Sequence, residues 1–170
     1  AYIQASRKAA SELEKQPPTE AQEQERAARL ERAGEVAAQA AAALPANADL
    51  QFQLGKTHYK QVQYREAVAA LDAAIAVDPQ HYQAWTYKAM SQYRLGEKEA
   101  AIASFLSSLA IHPHWMTYSN LAKVHSADGR LTEAATVLLA WLKLEPRSEE
   151  AHKRFLQTVA EMLRRGAADA

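Results

Sequence analysis

The sequence predicts an all-α fold, a solenoid of three repeated helix pairs with helical segments before and after them. Apolar residues recur at helical spacing, and no alternating strand pattern competes with them. One frame, in which an alanine, a large apolar residue and a proline stand at fixed distances, first returns after about 34 residues. The three copies of this frame are Ala67, Leu71 and Pro79; Ala101, Phe105 and Pro113; and Ala134, Leu138 and Pro146.

Composition limits the classes of function that remain open. With 170 residues, 48% of them hydrophobic, the chain is long enough for one sizeable core. Lys+Arg and Asp+Glu number 20 each, so no net charge attracts nucleic acid or an anionic membrane. The absence of cysteine excludes disulfides, thiolate zinc sites and a cysteine nucleophile. The start at Ala1, without a leader or a membrane-length apolar run, predicts a processed chain or an excised soluble domain, cytoplasmic or periplasmic.

Residues 1–47 are predicted to form an N-terminal helical extension, which can also be interpreted as a degenerate repeat. Residues 1–15 permit a helix, and Pro17 and Pro18 interrupt the chain. Thr19 and Gln22 have the spacing of a capping box, so a long helix is expected to follow and to end before Pro45. Its predicted inner stripe consists of Leu30, Ala33, Ala37, Ala41 and Leu44.

The three units are predicted at residues 48–81, 82–114 and 115–148, each with two helices. The residue before each proline is pushed away from helical geometry, so each second helix is expected to end there. Gly96 and Gly129 supply the turn inside the second and third units, whereas Val62 stands at that place in the first. We therefore expect the first turn to need no positive φ. The interval from Pro113 to Pro146 is one residue shorter than the interval from Pro79 to Pro113. The deletion is predicted to lie in the connection between units two and three.

Residues 149–170 are predicted to form a capping helix and a tail. The helix is expected over residues 149–165, with charged residues on its outer face, and residues 166–170 are expected to fray. The apolar stripe predicted to cover the third unit consists of Phe155, Leu156, Val159, Met162 and Leu163.

This frame resembles the tetratricopeptide repeat, a helix-turn-helix unit of about 34 residues with conserved spacing of Trp, Leu-Gly, Tyr, Ala, Phe and Pro. The resemblance implies a right-handed superhelix, in which small residues let the two helices of a unit approach. Besides the recurring frame, it rests on Leu54-Gly55, Trp85, Ala89, Tyr118 and Leu121-Ala122. The sequence departs from the pattern at Gln51, Lys88 and Trp141, where the local packing is left open.

No pattern of catalytic residues stands out in the sequence. There is no Gly-rich phosphate loop and no HExxH motif, so an enzyme, a cofactor and a metal are not expected. His112 and His114 flank Pro113, but two imidazoles without a third ligand make a weak metal site. His58 and His125 hold equivalent places in the first and third units, where packing between helices is the simpler interpretation.

The resemblance implies that the first helices of the units line a groove for a peptide or a partner helix. In the co-chaperone type of this family, a Lys/Asn/Arg clamp holds a terminal carboxylate. Phe52, Tyr87, Met116 and Asn120 occupy most of those places here, so the clamp is not expected. The groove residues carried over by register are Phe52, Gln53, Lys56, Tyr59, Lys60, Tyr87, Met90, Tyr93, Arg94, Asn120, Lys123 and Lys153.

Three functions follow from these observations. The first is a non-catalytic adaptor that binds an acidic or amphipathic segment of a protein partner in the groove. The second is a self-assembly module, a homo-oligomer in which the Ala-rich N-terminal helix docks on a neighbouring solenoid. The third is the adaptor domain of a larger enzyme or of a bacterial secretion or assembly machine. Neither nucleic acid nor membrane insertion is expected.

Overall fold

The computed structural model describes residues 19–168, and these residues form eight helices and no strand. The prediction of an all-α fold is confirmed. The proline pair and the helix-permissive segment 1–15 lie outside the described residues. No helix between residues 19 and 168 is long and apolar enough to span a membrane. The helices are α1 (Glu20–Ala43), α2 (Ala48–Lys60), α3 (Tyr64–Val77), α4 (Tyr82–Arg94), α5 (Lys98–Ile111), α6 (Trp115–Ala127), α7 (Leu131–Leu144) and α8 (Glu149–Ala168).

The helices stack in chain order into a solenoid. The pairs α2/α3, α4/α5 and α6/α7 form the three predicted units, and each second helix also contacts the first helix of the next unit. Helix α1 packs on α2, and α8 packs on α7. The division of the chain at 47/48 and 148/149 into extension, repeats and cap stays a prediction. The core runs along the stack in three clusters, centred on Leu71, Phe105 and Leu138.

Small residues set the distance between the two helices of a unit. Ala67 and Ala101 are completely buried, and a methyl group added at Gly55 would lie 2.5 Å from the Leu71 side chain. Because a Cβ cannot approach another carbon so closely, Gly55 is required for the packing of Leu71. The small residue on one helix and the large residue on the other therefore fit as one pair.

The three turns inside the units have one geometry. In each, a backbone N–H donates back to a carbonyl five residues earlier: Gln63 to His58, Glu97 to Gln92 and Arg130 to His125, all at 2.9 Å. Gly96 and Gly129 adopt the positive φ that this turn needs, and Val62 adopts it too, at φ 67°. The prediction that the first turn avoids a positive φ is wrong, because the packed helices impose the same connection whatever residue occupies it.

The one-residue deletion lies in the connection between the second and third units, as predicted. His81 is the N-cap of α4 and follows Pro79 by two residues, whereas His114 is the N-cap of α6 and follows Pro113 directly. Both imidazoles accept a hydrogen bond from a backbone N–H of the first turn. The deletion therefore shortens the loop and leaves the cap in place.

The departures from the repeat pattern have local partners. Gln51 is buried and its Nε2 donates to the Ala41 carbonyl of α1, at 3.2 Å. Lys88 forms an ion pair with Asp72 at 2.6 Å. Trp141 is buried, and its Nε1 donates to Glu145. These residues fill their places without disturbing the stack.

A buried hydroxyl cluster joins the second and third units. Thr86 Oγ1 lies 2.8 Å from Ser108 Oγ and 2.9 Å from Thr117 Oγ1, and Ser108 donates to the Tyr82 carbonyl. All three hydroxyl-bearing residues are buried, so their hydrogen bonds must be formed within the protein. This cluster could not be predicted from sequence spacing, since its members come from three helices.

Helix α1 begins with the predicted capping box between Thr19 and Gln22. The face that it buries agrees only in part with the predicted stripe, since Ala41 is buried and Leu30 and Ala37 are half-buried as expected. Gly34 and Ala41 are buried against α2, whereas Ala33 and Leu44 are exposed. Glutamine side chains decide this orientation, because Gln61 donates to the Leu30 carbonyl and a methyl group at Gly34 would lie 2.5 Å from its Nε2.

Helix α8 differs from the predicted cap in two ways. It continues to Ala168, so residues 166–168 are helical and do not form the expected tail. Its buried positions are Ala151 and Thr158, while Leu156 and Leu163, predicted to face inward, point to solvent. The small residues permit close approach to α7. Phe155 of the predicted stripe still packs against the core cluster around Leu138, so the stripe is only partly turned to solvent.

Candidate partner-binding groove

The first helices of the three units form one continuous face. Helices α2 and α4 contact each other, as do α4 and α6, so their outward residues share a surface that the second helices do not cover. This is the surface for which the repeat register predicts partner binding.

Six of the twelve predicted residues meet at one place on this face. They surround a small pocket of about 30 Å³, the groove pocket, whose floor is made by Phe105 and Val124. No carboxylate lines it. Its predicted members are Tyr59, Met90, Tyr93, Arg94, Asn120 and Lys123.

Aromatic rings extend the groove pocket along α2 and α4. The Tyr59 ring lies edge-on to Tyr87, with 5.7 Å between centroids, and 5.6 Å from the Tyr64 ring. Burial, with the neighbouring Tyr59, raises the pKa of Tyr87, so this phenol stays protonated at neutral pH. The neighbouring Tyr59 hydroxyl also raises the pKa of Arg94, an exposed cation at the rim. The result is an apolar strip with a positive edge.

Phe52 was predicted to line the groove, but it lies in the core. Its side chain is only 5% exposed and packs in the core, with its ring 4.7 Å from that of His81 and 5.7 Å from that of Tyr87. The position of Phe52 on α2 directs its ring between the helices, where its apolar area is removed from water. Lys56, half-buried, places its Nζ 5.8 Å from the Phe52 centroid and 6.0 Å from that of Tyr87. Lys56 therefore covers the aromatic core.

A second and larger pocket lies between α6 and α8. This cap pocket has a volume of about 490 Å³, and Lys123 lines both it and the groove pocket. Lys153 is the other predicted residue in it. Three residues that were not among the predicted ones line the same pocket: Arg154, Gln157 and Arg165. Arg154 and Arg165 each follow a glutamate by four residues, a spacing that predicts an ion pair on a helix. Both pairs, Glu150–Arg154 and Glu161–Arg165, are present in the structure.

Two predicted residues lie apart from the groove pocket. Gln53 is exposed on α2 and lines neither pocket. Lys60, at the end of α2, faces a cleft of about 590 Å³ along α1, the α1 cleft, which Leu30 and Ala33 also line. The predicted site therefore divides into a central part and this distant cation.

The two histidines beside Pro113 belong to packing in the structure. The Tyr82 ring lies 4.6 Å from the His112 ring and 5.9 Å from that of His114. Burial and the neighbouring His112 lower the pKa of His114. His125 is buried in α6, in agreement with the packing interpretation. Among residues 19–168, no group of three potential metal ligands comes together.

Solved structures with the same architecture come from several proteins. The first repeat domain of Spaghetti (RPAP3), bound to the HSP90 peptide SRMEEVD, is 23% identical, with a TM-score of 0.63 over 69% of this chain and 96% of that chain. The thermophilic protein TTC0263 of Thermus thermophilus is 20% identical, with a TM-score of 0.71 over 81% and 76%. MamA is 19% identical, with a TM-score of 0.71 over 86% and 81%. At these identities the similarity shows a shared fold.

The stacked helix pairs and their groove define the class of helical-repeat proteins. Residues 52–115 match the family model described as tetratricopeptide repeat. This match confirms the resemblance for residues 52–115, and the solved structures show that the surrounding helices share the same solenoid fold. A search of curated proteins finds no match.

Proposed function

We propose that the chain is a non-catalytic scaffold that binds a segment of a partner protein along α2, α4 and α6. The observation that carries the proposal is the groove pocket, where residues from three helices converge although they are far apart in sequence. Tyrosines supply a large contact area at low entropic cost, and arginine supplies charge-assisted hydrogen bonds. Such a surface suits an extended peptide or one face of a helix.

The charges favour an acidic, amphipathic segment. Among residues 19–168, Arg94, Lys123 and Lys153 form no ion pair with a carboxylate of the chain. These three cations line the groove pocket or the cap pocket, while the apolar strip offers the apolar contact. The carboxylates in the cap pocket, Glu150 and Glu161, already pair with arginines of α8. The peptide in the structural neighbour, SRMEEVD, is itself acidic, which supports this class of partner. We do not expect a carboxylate clamp, since Phe52 is buried at one of its places.

The test is a triple charge reversal, Arg94→Glu, Lys123→Glu and Lys153→Glu. All three residues are exposed, so the solenoid should stay folded. Lys56 is left unchanged because it packs on Phe52 and Tyr87. Binding is measured by fluorescence anisotropy with acidic amphipathic peptides and with charge-reversed copies of them. Each lost contact costs about 1–2 kcal/mol, which corresponds to about a tenfold change in Kd.

The matched control reverses Arg65, Lys143 and Arg147, which are exposed and line neither the groove pocket nor the cap pocket. Both variants have the same net charge, so a difference between them reports the groove and not the bulk field. The groove variant should lose the acidic peptides, and wild-type binding should weaken with salt. Equal binding by both variants would contradict the proposal.

A further inference from the structure

The two ends of the solenoid expose faces that every inner unit buries. Within a unit, the first helix and the second helix cover each other along their facing sides. Helix α8 packs on α7 as a first helix does, but no second helix follows it among the described residues. Helix α1 packs on α2 as a second helix does, and no first helix precedes it there. Each end therefore offers half of a unit.

The exposed half on α8 is defined by the repeat register. Ala151 and Thr158 are buried against α7, like Thr117 and Val124 in α6, which stand one repeat length earlier. Leu156 holds the place of Gly55, Ala89 and Ala122, all buried by the second helix of their own unit, yet Leu156 is 65% exposed. Leu163, two turns further along α8, is exposed on the same side of the helix.

The exposed half on α1 follows from the same register. Pro45 stands one repeat length before Pro79, which aligns Ala33, Ala37 and Ala40 with the core positions of the other units. Those core positions are all buried: Ala67, Leu71 and Ala74; Ala101, Phe105 and Ser108; and Ala134, Leu138 and Trp141. On α1, by contrast, Ala33 is exposed and Ala37 and Ala40 are half-buried. The α1 cleft opens beside Ala33, where a first helix would lie.

The two half-units are complementary in size. Inside the units, a small residue on the first helix faces a large one on the second, as Gly55 faces Leu71. Between α8 and α1 the sizes are exchanged, since Leu156 takes the place of the small residue and Ala37 that of the large one. A leucine against an alanine fills about the same volume as the reverse pair.

Length and charge agree with this pairing. Helix α1 has 24 residues and α8 has 20, whereas the six helices of the units have 13 or 14. An antiparallel pair of these helices could therefore continue past the point where a unit turns, and Leu163 would be covered there. Helix α1 contains five glutamates and three arginines, while α8 contains three glutamates and four lysines or arginines. The two helices thus have net charges of opposite sign.

We propose that α8 of one chain docks on α1 of a second copy and completes a hybrid unit between them. The surface differs from the groove of the proposed function and does not depend on it. Because the contact joins opposite ends, it is heterologous, and each complex still exposes one free α1 face and one free α8 face. The assembly therefore grows as an open chain of copies and does not stop at a dimer.

The experiment uses two single variants of the full chain, Leu156→Glu on α8 and Ala33→Glu on α1. Both residues are exposed, so each variant should fold as a monomer, and two glutamates cannot attract each other. Sedimentation velocity over a concentration series measures mass for each variant and for their equimolar mixture. Leu106→Glu and Ala28→Glu, at exposed positions on α5 and on another side of α1, are the matched controls.

The wild-type chain and both controls should increase in mass with concentration, beyond a dimer. Each variant alone should associate at least about tenfold more weakly, because one of its two faces is blocked. The mixture should form heterodimers and nothing larger, since the intact α8 of one variant meets the intact α1 of the other. This rescue is specific to a head-to-tail contact.

Three outcomes would overturn the proposal. The first is a wild-type chain that stays monomeric at every concentration. The second is loss of association in Leu156→Glu with none in Ala33→Glu, which would indicate an isologous contact between two α8 helices. The third is self-association that begins only after residues 1–18 are removed, which would mean that this segment covers α1 within one chain.

Discussion

Val62 provides the most direct test of how the helix pairs are closed. It adopts φ 67° in a turn that its equivalents, Gly96 and Gly129, make without a side chain. A left-handed conformation costs an L-residue about 1–2 kcal/mol, and β-branched residues adopt it least readily. The Val62 side chain is 66% exposed, so its removal gives up little buried area. Glycine gives the unfolded chain more conformational freedom, and this lowers the stability by about 0.5–1 kcal/mol.

The difference predicts that Val62→Gly stabilises the chain by about 0.5–1 kcal/mol. Val62→Asn should do at least as well, because asparagine tolerates the left-handed region and adds less freedom to the unfolded chain. The reverse change, Gly96→Val, should destabilise by about 1 kcal/mol, and solely through the backbone, since no atom lies within 4 Å of the added Cβ.

Urea unfolding followed by far-UV circular dichroism measures these changes, with an unchanged m-value as the sign that stability alone has moved. A Tm about 2–4 °C higher per kcal/mol is the parallel readout. If Val62→Gly lowered the midpoint, or if Gly96→Val left it unchanged, the turn would not impose a positive φ and the reasoning would be refuted.

Two further predictions concern the packing between the helices of a unit and the protonation of the buried His125. Ala101→Leu should destabilise by about 1–3 kcal/mol, because Ala101 is completely buried between the helices of its unit. Ala103→Leu, at an exposed position, is the control, measured in the same urea series; equal effects would contradict the register. His125 has a lowered pKa, first through burial and then through the charge of Arg130, so the unfolded chain binds its proton more readily. Stability should therefore fall as pH drops below about 6.5, and His125→Gln should make that fall shallower, with a residual slope from His114; an identical profile would show that His125 does not contribute.

Much of the fold could be predicted because its signals are local. The recurring alanine, apolar residue and proline define the units, and the residue before each proline ends a helix by steric conflict within a few atoms. The capping box at Thr19 and the shortened connection after Pro113 are equally short-range. Each of these features depends on neighbours in sequence, and each appears in the structure.

The candidate groove was only partly predictable. The register brought Tyr59, Tyr93 and Lys123 to one pocket, since equivalent places in stacked units share a face. It placed Phe52 on that face as well, although the ring packs against His81 of the next unit. A side chain at the border of two faces turns toward the available apolar contact, and that contact belongs to another helix.

The sequence by itself determined where the helices lie, how long each unit is and which residues recur, because spacing and chain-breaking residues act within one turn or one helix. The tertiary structure alone decided which positions of the predicted stripes on the outer helices stay exposed. Small residues and glutamine contacts orient α1 and α8 so that Ala33 and Leu156 remain exposed. It also decided that Val62 takes a positive φ, since the energy of two packed helices exceeds the conformational preference of one residue in the turn between them.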